Sequence, residues 1–118
     1  MEKLVVSGGL EQMENCLGFM ATKLSDEGFE VVKLRVESAP SPTTLLQIRK
    51  PTAFLPNRMC ASLKMSIVET GVSIESYCGT WFDNQKTSSG VFDSIAVNKL
   101  CKSIFLEAIA FFTRRENS

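Results

Sequence analysis

The chain reads as an α+β two-layer sandwich, an antiparallel sheet carrying two helices on one face in the order β-α-β-β-β-β-α. Three observations predict this. Two stretches, Leu10–Leu24 and Val91–Arg115, repeat apolar residues at three- and four-residue steps, the spacing of one helix face. Four stretches between them alternate apolar and polar residues, as half-buried strands do. Turn-length links join most of those strands, which favours antiparallel pairing and one buried face.

Lys3–Ser7 opens the chain as a short apolar strand, broken at Ser7-Gly8-Gly9, where Ser7 is suited to cap a helix. Leu10, Met13, Leu17, Met20 and Leu24 then form one stripe. Gly18 interrupts that helix at a cost of ~1 kcal/mol and suits close packing there. Gly28 is placed for a left-handed cap at its end. Phe29–Ser38 is a strand with Val32, Leu34 and Val36 on one side and Lys33, Arg35 and Glu37 on the other. After the Ala39-Pro40-Ser41-Pro42 turn, Thr44–Lys50 sends Leu46 and Ile48 inward and Gln47 and Arg49 outward. Pro51–Met59 is a loose connection. Ala61–Glu69 faces inward with Ala61, Leu63, Met65 and Ile67, and Thr70-Gly71 reverses the chain. Val72–Trp81 puts Val72, Ile74, Ser76, Cys78 and Thr80 on one face, and Asp83–Gly90 is a polar loop before the last helix.

This element order resembles the topology of the TATA-binding-protein-like folds. It also resembles the helix-grip folds, in which a long C-terminal helix closes over a curved sheet and often encloses an apolar ligand. A fold does not by itself carry an activity.

At 118 residues, 44% of them hydrophobic and 22% charged, residues 1–118 make a single globular domain. Lys+Arg and Asp+Glu are both 13, so the formal net charge is zero. That makes nucleic acid an unlikely partner and leaves little repulsion between copies. MEKLVVSGGLEQ contains no apolar run of signal-peptide length, and charges interrupt the last helix too often for a membrane span. A soluble, cytoplasmic protein is the expectation. Cys16, Cys60, Cys78 and Cys101 are widely spaced and no histidine is present, so four free thiols are expected, with no metal centre and no cofactor. Without histidine, acid–base work near neutral pH would need a shifted Glu, Lys or Cys, and a non-catalytic role is the expectation.

Two groups of residues are candidates for function. Ser76, Cys78 and Thr80 are small where aliphatics are expected, and the last helix offers Ile104, Phe105, Phe111 and Phe112 against them. They form either complementary packing or a pocket for a small apolar ligand. The second group concerns partners. Lys33, Arg35, Gln47, Arg49, Lys64, Tyr77 and Trp81 are expected on the outer sheet face as a solvated surface. Tyr77 and Trp81 favour an interface, and Leu106 and Ile109 widen the last helix's apolar surface beyond what one sheet covers, as a homodimer would require.

Overall fold

In a computed structural model, the described residues are 2–37, 39–50, 59–78, 81–83, 86–88 and 94–116, with side chains left undescribed at 50, 59, 60, 78, 81–83, 86–88, 94–97 and 114–116. They form β1 (Glu2–Val6), α1 (Leu10–Asp26), β2 (Glu30–Arg35), β3 (Thr43–Lys50), β4 (Met59–Val68), β5 (Gly71–Cys78), β6 (Trp81–Asp83), β7 (Lys86–Ser88) and α2 (Ser94–Glu116). Five strands pair antiparallel in the order β1-β5-β4-β3-β2. The α+β class and the helix–strand order are as the sequence predicts.

The register sets the faces. Ile74 lies opposite Leu4 and Met65, Leu63 opposite Leu46, and Ile48 opposite Ala61 and Val31. That face is buried beneath the helices, where Met13, Cys16, Leu17, Met20 and Leu24 of α1 meet Cys101, Ile104, Phe105, Ala108 and Phe112 of α2 in one core cluster. Of the predicted α1 stripe only Leu10 is outside it, at 49% exposed. α2 lies over β5, β4 and β1, and α1 over β2, β3 and β4. The helices run antiparallel. Lys23 bonds Glu107 at 2.6 Å, the Phe19 and Phe111 rings sit 5.4 Å apart, and Gly8 packs on Phe112.

α1 is capped by a side chain at its start and by backbone geometry at its end. Its N-cap is Gly9, not Ser7, and the Gly9 amide donates to Gln12 Oε1 at 2.9 Å. At its other end Gly28 takes φ +93°. The Phe29 amide then reaches the Leu24 carbonyl and the Gly28 amide the Ser25 carbonyl, each at 3.0 Å. This is the paired closure that a left-handed residue permits. Gly18 is exposed, and a Cβ there would meet nothing within 4 Å. Close packing does not explain it.

Four further expectations need correction. β2 is turned over: Lys33 and Arg35 share the helix-facing side with Leu46 and Thr44, while Val32 and Leu34 face outward. Lys33 lies there because Glu14 of α1 meets it at 3.2 Å. The outer face is not wholly solvated, since Gln47 is 0% and Ser62 1% exposed. A β6–β7 hairpin occupies part of the expected 83–90 loop, and its β6 strand lies against β3 and β4. Lastly, Cys16 is a free, buried thiol, but Cys101 is disulfide-bonded, with its partner outside the described side chains. The Cys101 sulfur sits 3.7 Å from the Tyr77 carbonyl oxygen. A disulfide sulfur has no proton to donate, so this is a packing contact.

Candidate functional site

The seam between β5 and α2 brings together most of the first candidate group. Ser76 is 2% exposed, Ile104 3%, Phe105 6% and Phe112 3%. Phe111 is half-buried and stacks on Phe19 of α1. The Cys78 side chain and the whole of Thr80 lie outside the described residues. Ser76 Oγ is buried without a hydrogen-bond partner. An orphaned hydroxyl in a core costs ~1–3 kcal/mol, so this atom is a chemical anomaly among the seam's described residues. Ser76 lines none of four surface hollows formed by described residues.

The second group does not form one patch. Tyr77 projects from the outer face of β5, half-buried, and its hydroxyl donates to Glu75 Oε2 at 2.5 Å. Leu106 and Ile109 belong to the helix layer on the other side of the sheet, Leu106 at 54% exposed and Ile109 half-buried. Trp81 begins β6, and its side chain is not described.

The outer-face charges are matched in place. Arg49 grips Glu30 through two nitrogens at 2.7 and 3.0 Å. Glu75 receives Lys3 at 3.3 Å and Lys64 at 3.9 Å. The Tyr77 hydrogen bond, with those cations behind it, holds the Glu75 carboxyl below the usual carboxylate value. The same bond pushes the Tyr77 phenol up to about 12. Burial pushes the Cys16 thiol up to about 12, which leaves it protonated and unreactive near neutral pH. Among the described residues no three His, Cys, Asp or Glu side chains cluster as a metal site would.

Two features escaped the sequence pattern. The free edge of the sheet at β1 exposes Leu4 at 44% and Val5 at 43%, on opposite faces. Periodicity marks an apolar strand but not its place in the sheet. The second is Arg35, which the turned-over β2 sets beside α1.

Comparison with protein-family models, curated proteins and solved structures finds no match for this chain. The functional reading therefore rests on the geometry alone.

Proposed function

We propose that this is a non-catalytic binding domain that works as a homodimer, joined through the β1 edge of its sheet. The observation that carries this reading is the exposed apolar edge, with Leu4 and Val5 both more than two fifths exposed on a strand that, among the described residues, is paired on one side only. Unpaired backbone groups along such an edge invite a second strand. β1 is also self-complementary. An antiparallel pairing centred on Leu4 sets it against its own copy, with Lys3 opposite Val5 and Glu2 opposite Val6, so no like charges oppose. The zero net charge adds no repulsion between copies.

Light scattering against concentration tests it. Wild type should approach twice the chain mass in the micromolar range. Val5→Lys, which sets a lysine against Lys3 of the copy, should return it to a monomer with unchanged circular dichroism. A wild-type monomer at high micromolar concentration would sink the reading.

A second reading, a carrier of a small apolar ligand between sheet and α2, is favoured by one atom, the orphaned Ser76 Oγ. If a ligand fills space there, native mass spectrometry shows its mass and Ser76→Leu is tolerated. In a closed core the same change costs ~1–3 kcal/mol through overpacking.

No described helix is long and apolar enough to cross a membrane. The expectation of a cytoplasmic location rests on the lack of an apolar run of signal-peptide length and of a membrane span in the sequence pattern, with free thiols expected beside it. The Cys101 disulfide favours an oxidising compartment instead.

A further inference from the structure

At the sheet edge opposite β1, a hollow of about 400 Å³ opens between the first turns of α1, the end of β2 and the loop leading into β3. Its size falls within the ~300–1,000 Å³ of small-molecule sites. Leu10, Val36 and Pro40 give it an apolar wall, and Glu14, Arg35 and Glu37 give it charge.

Those three charges are not equivalent. Glu14 is engaged by Lys33 at 3.2 Å. Arg35 and Glu37 have no ion pair or hydrogen bond among the described residues. Arg35 is also oddly placed, opposite Thr44 on the face of the sheet that elsewhere holds the aliphatic core. A surface arginine needs no such position. The described residues of the loop that completes the wall are pinned. The Val36 amide donates to the Thr43 carbonyl, the Thr43 hydroxyl to the Ser41 carbonyl, and the Ile67 amide to the Pro42 carbonyl, each at 3.0 Å. The hollow is therefore preformed, which spares a ligand the cost of ordering it.

One unpaired cation and one unpaired anion beside an apolar wall match a ligand with the same three features. We infer that this hollow binds a zwitterionic small molecule of amino-acid size, its carboxylate on Arg35, its ammonium on Glu37 and its apolar side chain on Leu10, Val36 and Pro40. Glu37 repels a plain anion and Arg35 a plain cation. A planar guanidinium suits the two oxygens of a carboxylate.

Calorimetric titration of the full chain tests this with four probes: L-phenylalanine, L-leucine, phenylpropionate, which lacks the ammonium, and phenethylamine, which lacks the carboxylate. At least one amino acid should bind, and L-phenylalanine, if it is that one, should bind roughly tenfold or more tightly than either truncated probe. Arg35→Met and Glu37→Gln, both exposed positions, should each weaken the amino acid by a similar factor while the thermal transition stays intact. The inference is overturned if neither amino acid saturates up to about 10 mM. It is equally overturned if truncated and whole probes bind alike, or if both variants bind as wild type does. Heats of binding report on this hollow and light scattering on the β1 edge, so the two readings fail separately.

Discussion

A Cβ built on Gly18 meets no atom within 4 Å, and the residue sits exposed in the middle of α1. Its only effect is the backbone freedom it gives the unfolded chain, so Gly18→Ala should stabilise the domain by about 0.5–1 kcal/mol in a urea titration. Gly71 is the opposite case. It holds φ +152°, and a Cβ there would stand 2.0 Å from the Val6 carbonyl oxygen, a backbone atom that cannot move without carrying β1 away. Gly71→Ala should cost at least about 2 kcal/mol. If the two substitutions shift the urea midpoint in the same direction, this account of both glycines is wrong. Both glycines were visible in the sequence, but their roles were not. What separates them is the distance to a strand more than sixty positions earlier, which no local pattern encodes.

Among the elements, β3, β4 and β5 were legible because each has a strong aliphatic face and sits inside the sheet, where burial decides orientation. β2 was not. Val31, Val32 and Leu34 offer apolar side chains to both faces, and at a sheet edge the cost of turning over is small enough for the Lys33–Glu14 pair to tip it. The β6–β7 hairpin was missed because strands of three residues carry no measurable alternation. Of the candidate site, the seam residues Ser76, Ile104, Phe105 and Phe112 were found by their period, and Phe111 went to α1 because a helix between two neighbours divides its apolar arc between them. β5 also carries the clearest pH response. Glu75, held below its usual value, stabilises the fold above the unfolded carboxylate value and loses that contribution as pH falls through the folded one. Tyr77, raised to about 12 from 10.0, contributes fully below the unfolded value and loses it as pH rises toward 12. Melting temperature against pH should therefore fall on both sides. Tyr77→Phe should flatten both limbs, the acid one because the folded value of Glu75 then rises toward its unfolded value. An alkaline limb unchanged in Tyr77→Phe would assign it to other groups.

For the whole molecule, the Cys101 disulfide adds a covalent tie to α2, the helix that closes the core. Reduction should lower stability by about 2–4 kcal/mol, read as a drop in melting temperature that Cys101→Ser reproduces without reductant. Equal melting of oxidised and reduced protein would show that the tie adds nothing. Spacing alone could not reveal this bond, because a disulfide depends on where two distant segments meet. The sheet order has a consequence in time as well as space. β1 pairs with β5 and not with its sequence neighbour β2, so Glu2 finds its place against Ser76. During synthesis β1 has no partner until β5 is made, and both helices wait for the same face. The β2–β5 meander is the segment that can assemble early, since its contacts are local. β1 is then the last strand to be threaded home, and until that moment both of its edges, rather than one, are open to any strand nearby.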